Sequence, residues 1–275
     1  MLRQFRQVDV FTTTPYLGNP VAVVLESDGM STEDMQRFAR WMNLSETTFL
    51  LAPSAAEADY QVRIFTPSRE LSFAGHPTLG TCHAWLSGGG SPQRPGVIVQ
   101  QCGVGLVQVR KVAAGLAFAA PPLLRSDRAD EDLTVRLAAM LGIARHEIVE
   151  ARWADNGPGW VGVMLDSADA VLALKPPAIE VDVGVFGPHR AGSPEAFEVR
   201  AFFRSNGATI EDPVCGSFNA SLAQWLLTAG LASAPYVVSQ GTAIGRAGRV
   251  CVSQHDGGIW IGGGTVTCVS GTAEL

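Results

Sequence analysis

Apolar residues along this chain come mostly in short runs of four to eight, closed by Gly, Pro, Asn or Ser. Val, Ile and Phe dominate the runs, which is the pattern of β-strands with at least one buried face. Strands are predicted over residues 7–12, 20–26, 48–52, 60–66, 97–100, 105–112, 160–165, 197–203, 236–239, 249–253 and 259–262. Helical periodicity is rarer. Residues 31–42 open with Ser-Thr-Glu-Asp, whose carboxylates suit a positive helix start, and Met35, Phe38, Ala39 and Met42 recur at helical spacing. Residues 78–87, 130–142 and 217–230 read the same way, with Gly230 as a stop for the last. Many short strands and few helices predict an α+β architecture.

A repeat organises these elements. Val62-Arg63-Ile64-Phe65-Thr66-Pro67-Ser68 shares four of seven positions with Val199-Arg200-Ala201-Phe202-Phe203-Arg204-Ser205. Each copy leads through a turn into a Gly-containing loop and an apolar helix: Phe73-Ala74-Gly75-His76-Pro77-Thr78-Leu79-Gly80 and Val214-Cys215-Gly216-Ser217-Phe218-Asn219-Ala220-Ser221. The same order occurring twice predicts two related halves, residues 1–118 and 119–264. The patterning breaks at 115–130, where Pro121-Pro122 cannot sit in a central strand. The Gly-rich stretch 257–264 offers a second crossing, by which residues 265–275 return to the first half.

Each repeated loop delivers the chain from a strand into a helix start, where unpaired backbone N–H groups and the positive end of the dipole are exposed. Gly75 and Gly216 permit close approach of a ligand to the backbone, and Pro77 suits a first helical turn. Taken singly, such loops only shape turns. As a facing pair they would form a pocket for a carboxylate or similar small anion. His76, Glu211, Asp212, Cys215 and Ser217 cluster around them. Purely structural roles stay open for three of these: Asp212 as a turn residue before proline, Ser217 as an N-cap, Cys215 as a small buried filler. A thiol at a helix start would otherwise have a lowered pKa. Glu46 lies between a predicted helix and an apolar strand. On position alone it reads as a solvated side chain, but partial burial would raise its pKa toward an acid/base range.

Composition narrows the classes. The chain has 275 residues, 47% hydrophobic and 17% charged, so it is globular rather than disordered. A net charge of −6 argues against a broad basic face for nucleic acid. No apolar run approaches a bilayer span, and the N-terminus lacks the apolar segment of a signal peptide. Five Cys without a CxxC clip fit a reducing cytoplasm, and the five His form no metal-ligand spacing, so no metal site is expected. No GxGxxG follows a strand, no phosphate-binding P-loop occurs, and the two Lys, Lys111 and Lys175, do not point to a Schiff base.

The series TPYLGNPVAVV, MNLSETTFL, RIFTP, LSFAGHPTLGT, EDPVCGSFNASLA and SQGTAIGRAGRV, in order over most of the chain, resembles the phenazine-biosynthesis PhzF-like isomerases. The resemblance implies a diaminopimelate-epimerase-like fold: two pseudo-symmetric domains, each a β-sheet wrapped around a central helix, with the active site in the cleft between them. It implies a cofactor-independent proton shift between carbons of a small anionic metabolite, similar to isomerisation of a dihydro-hydroxyanthranilate. Glu46 would be the acid/base, His76 and Asp212 polar partners, and Asn19, Gly75, Gly216 and Ser217 substrate contacts. A homodimer is implied too. Related racemases on this fold use two opposed thiols. Here the first position is Ala74, which excludes that mechanism, and leaves an epimerase pairing Glu46 with Cys215. The same residues are also compatible with a non-catalytic small-molecule-binding protein, or with a hydrolase using Cys215 and His76. Cys215 and Phe218 depart from the family pattern, and Phe218 is expected to narrow the pocket.

Overall fold

The computed structural model describes residues 1–275 except Pro177 and Asn206, with the side chain of Ser205 also left undescribed. In chain order the elements are β1 (Leu2–Val10), β2 (Asn19–Val24), α1 (Thr32–Met42), β3 (Thr47–Leu51), β4 (Tyr60–Phe65), β5 (Glu70–Leu71), α2 (Gly75–Ser87), β6 (Val97–Cys102), β7 (Gly105–Val112) and β8 (Gly115–Ala119). There follow α3 (Glu131–Leu141), β9 (Glu150–Trp153), β10 (Val161–Met164), α4 (Ala168–Ala173), β11 (Val183–Pro188), β12 (Phe197–Ser205), β13 (Ala208–Asp212), α5 (Gly216–Thr228), β14 (Tyr236–Gln240), β15 (Gly248–His255), β16 (Gly258–Gly263) and β17 (Thr265–Glu274). The chain forms two compact units: Met1–Ala119 with Gly262–Leu275, and Ala120–Ile261.

The first unit is a mixed sheet around α2. β1 pairs antiparallel with β2 and, on its other side, with β17 (Leu2 opposite Glu274). β2 runs parallel to β3, β3 antiparallel to β4, and β4 parallel to β6, which continues antiparallel into β7 and β8. α2 packs against β1, β2, β3, β6, β8 and β17, so most of its length is buried. This explains why β2 reads as an unbroken apolar run. Its inner face meets α2, where Gly80 leaves room for Val21, and Val24 on the outer face joins Met35 and Ala39 of α1. α1 is bounded as its sequence requires: the Ser31 hydroxyl accepts from Asp34 N, and Asn43 takes the left-handed conformation at its end.

The second unit repeats that order. β9 pairs antiparallel with β10, β10 parallel with β11, β11 antiparallel with β12, and β12 parallel with β14, which turns antiparallel into β15. α4 occupies the place of α1, and α5 that of α2; both central helices have 13 residues. α3 has no counterpart. With α4 it covers the outer face, where Leu133, Leu137, Val161, Val163, Val171, Val183 and Val185 form one core.

Several sequence expectations are corrected here. The central helices open at Gly75 and Gly216, ahead of the predicted 78 and 217, so Cys215 rather than Ser217 is the N-cap. Residues 115–119 do not break the pattern but form β8, paired to β7. Phe218 does not line a pocket. It is fully buried in the core of its unit, 5.7 Å from the Trp160 ring, in the space left by the absent side chain of Gly184.

Candidate active site

In the first unit three predicted residues come together. Asn19 opens β2, Glu46 sits just ahead of β3, and His76 lies in the first turn of α2. The Nδ1 of His76 is 3.5 Å from Glu46 Oε2 and 3.5 Å from Asn19 Nδ2, at the outer limit of hydrogen bonding. All three are buried, with Glu46 9% exposed, His76 6% and Asn19 2%. Glu46 is therefore not the solvated side chain its position alone described. Burial pushes the His76 pKa down to about 3, only partly countered by a hydrogen bond to the Pro20 backbone, so the imidazole is neutral at pH 7. Its contact with Glu46 is accordingly between a buried carboxyl side chain and a neutral ring. Among the described residues the Nε2 of His76 has no hydrogen-bond partner.

The backbone around this group is set by residues the motifs did not single out. Buried Asp9 accepts from Gly18 N (3.2 Å), holding the turn into Asn19. A Cβ at Gly18 would lie 2.4 Å from Val10 O, so only glycine fits that turn. At Gly75 the missing side chain is replaced by the Phe118 ring, 2.5 Å from where a Cβ would stand. The freedom at Gly75 thus serves packing of β8 against the helix start. The N-cap of α2 is Ala74, which offers no side-chain acceptor to the first-turn N–H groups.

In the second unit Asp212, Cys215, Gly216 and Ser217 gather at the start of α5. Asp212 is half-buried and its Oδ1 accepts from Val214 N (3.1 Å). The Ser217 hydroxyl accepts from Trp160 Nε1 (2.9 Å) and lies 3.4 Å from Cys215 Sγ, while Asn156 Nδ2 donates to Ser217 O (3.0 Å). Cys215 Sγ accepts from Phe218 N (3.4 Å). Its thiol pKa lies well above the ordinary range. Burial is the main cause and the nearby Asp212 charge adds to it, against smaller opposing effects from Ser217 and Phe218 N. The direction is therefore opposite to the lowering expected at a helix start, with burial as its main cause.

An Arg–Glu pair precedes each helix start. Arg63 meets Glu70 through both oxygens (2.7 and 2.6 Å), and Arg200 meets Glu211 likewise (2.9 and 2.7 Å). The second pair is the more buried, and Arg200 Nη1 also donates to Val171 O and Leu174 O at the end of α4. The repeat placed Arg63 and Arg200 at matching positions; their carboxylate partners were not assigned from sequence. Among the described residues no three His, Cys, Asp or Glu side chains are gathered to hold a metal ion, and no helix is long and apolar enough to cross a membrane.

Residues 8–271 match the family model described as phenazine biosynthesis-like protein. The chain is 34% identical to trans-2,3-dihydro-3-hydroxyanthranilate isomerase of Pseudomonas aeruginosa, over 90% of this chain and 89% of that one. It is also 34% identical to antisense-enhancing sequence 1 of Schizosaccharomyces pombe, over 98% of both. A crystal structure of the Bacillus anthracis phenazine biosynthesis protein of the PhzF family shares its fold, with a TM-score of 0.85 at 23% identity and full coverage of both chains. The chain belongs to the phenazine biosynthesis-like (PhzF) family, a family of isomerases.

Proposed function

We propose that this protein is a cofactor-independent isomerase that moves a proton between two carbons of a small carboxylate-bearing metabolite, of the class named by its dihydro-hydroxyanthranilate isomerase relatives. Glu46 takes the proton as one C–H bond breaks. The electron pair moves into the conjugated system, and Glu46 returns the proton to a second carbon. His76 and Asp212 hold and polarise the polar groups of the substrate, with Asn19, Gly75, Gly216 and Ser217 as contacts. The observation that carries this reading is the 3.5 Å meeting of a buried carboxyl side chain with a neutral imidazole whose Nε2 finds no partner among the described residues. Such a pair costs stability and is hard to explain by packing alone. A pairing of Glu46 with Cys215 is disfavoured, because the thiol is pushed away from ionisation and caps its own helix.

The test is proton exchange at carbon. The protein is incubated in D2O with trans-2,3-dihydro-3-hydroxyanthranilate and a panel of cyclic and amino-acid carboxylates, and carbon-bound deuterium is read by NMR. Deuterium entering one compound is expected with the native protein. Glu46→Gln should slow it by about 10²–10⁴-fold, while Cys215→Ser should retain it. Exchange at an undiminished rate in Glu46→Gln, or none across the panel in folded native protein, would sink the proposal.

A further inference from the structure

We infer that Gln100 and Gln240 are matched positioning residues, each clamping the helix start of its own unit at which candidate site residues sit. Gln240 ends β14 and is fully buried. Its Oε1 accepts from Cys215 N (3.1 Å) and from Asn219 Nδ2 (2.8 Å), and its Nε2 donates to Asp212 O (3.1 Å). One amide therefore fixes the residue before the turn, the N-cap and the first turn of α5. Asn219 completes the ring by donating to Cys215 O (2.8 Å).

The first unit holds the same device with the polarity of one bond reversed. Gln100, on β6 and fully buried, donates from Nε2 to Thr78 Oγ1 (2.9 Å) and accepts at Oε1 from Tyr60 OH (3.2 Å). Thr78 stands where Asn219 stands in the second loop, and its hydroxyl donates to Ala74 O (2.9 Å), the carbonyl that matches Cys215 O. A hydroxyl has one proton, already spent on that carbonyl, so it can only accept from the glutamine. The Asn219 amide has two protons, one for the carbonyl and one for Gln240 Oε1. The constant feature is a glutamine from the strand parallel to β4 or β12, joined through the fourth helical residue to the N-cap carbonyl. Val97-Ile98-Val99-Gln100 and Val237-Val238-Ser239-Gln240 even repeat in sequence. A bond network that survives in two halves with different side chains at its node is serving the loop geometry, not local packing. His76 and Asp212 are the residues so placed, and only this consequence for turnover rests on the isomerase reading.

The test uses the full chain with Gln240→Leu, which removes every bond, and Gln240→Glu, which keeps the acceptor but loses the donor to Asp212 O until the carboxyl protonates. Alkylation of Cys215 by N-ethylmaleimide is followed by mass spectrometry, with Cys102 as internal reference. Cys215 should react about tenfold faster in Gln240→Leu. In native protein it stays protected. Proton exchange into substrate should fall by about 10–100-fold through kcat rather than KM in both variants. It should recover in Gln240→Glu, and not in Gln240→Leu, as pH falls from 8 to 5. If Gln240→Leu does not fold, the pH-dependent recovery in Gln240→Glu decides. Cys215 protection equal to native in folded variants, or the same pH profile in Gln240→Glu as in native protein, would overturn the assignment. Absence of exchange by native protein would remove the isomerase reading, and the alkylation result would still decide the clamp.

Discussion

Burial places the His76 pKa near 3 in the folded chain against 6.5 for a free imidazole, and this makes stability depend on pH in a calculable direction. Between those values the unfolded chain binds the proton that the folded chain refuses. The contribution is complete above about pH 6.5 and is lost as pH falls toward 3, at up to roughly 1.4 kcal/mol per pH unit. Native protein and His76→Asn, compared by urea unfolding from pH 7 to 4, should therefore diverge, with the native protein losing stability faster. Parallel curves would mean that the ring titrates normally. At this scale the site was half legible. FAGHP and NLSET marked His76 and Glu46, but their 3.5 Å approach joins the end of one loop to the start of a helix 30 residues later, which no local pattern encodes. Gln100 and Gln240 were not singled out from sequence: the predicted strand 236–239 stops short of Gln240, and a glutamine after an apolar run reads as a solvated residue. Only the parallel pairing of β4 with β6 and β12 with β14 turns it inward.

Elements were legible wherever one helix faced one strand surface, and obscure where a helix ring entered the strand itself. β7 matched its predicted bounds. β11, with the sequence Val-Gly-Val-Phe-Gly-Pro, was not among the predicted strands, because its glycines interrupt the apolar run. Gly184 is there because Phe218 of α5 fills its side-chain space, and Gly187 because Ser167 O lies 2.3 Å from where a Cβ would stand. The two Arg–Glu pairs give a comparison within one molecule. Glu70 is 39% exposed and Glu211 11%, with the same bidentate geometry. Removing Glu211 strands the Arg200 guanidinium in the interior, so Glu211→Gln should cost about 3–5 kcal/mol. Glu70→Gln leaves Arg63 able to reach water and should cost about 0–1 kcal/mol. Equal costs by denaturant unfolding would mean that the second pair is hydrated in solution. A large loss in Glu211→Gln would also loosen the strand that delivers Asp212.

At the scale of the whole chain the first unit is discontinuous: its last strand arrives only after the second unit has been completed. β17 was not among the predicted strands: none of its residues is fully buried, and its few apolar residues are spread among Thr, Ser and Gly without forming a run. What holds it is pairing rather than burial. Nine of its ten residues pair antiparallel with β1, with a register shift between Gln7 and Val8 that leaves Cys268 without a counterpart. His83 of α2 bonds Thr267 Oγ1 and Thr265 Oγ1, both at 2.9 Å, one from each ring nitrogen. Leu275 closes the small cluster of Val24, Met35, Ala39, Phe49 and Phe65. Deleting residues 265–275 should therefore uncover the backbone of β1, the ring of His83 and the outer face of β2 together. Hydrogen exchange read by mass spectrometry should show the largest protection losses in peptides from β1, β2 and α2, with smaller losses in those from β10, β11 and α5. Losses no greater in β1 than in β10 would show that β17 does not secure the unit to which it pairs. His83→Ala is the milder form of the same experiment. It keeps the backbone ladder and removes only the hydroxyl clamps, so it should raise exchange chiefly near Thr265 and Thr267, at the end of β17 that adjoins α2.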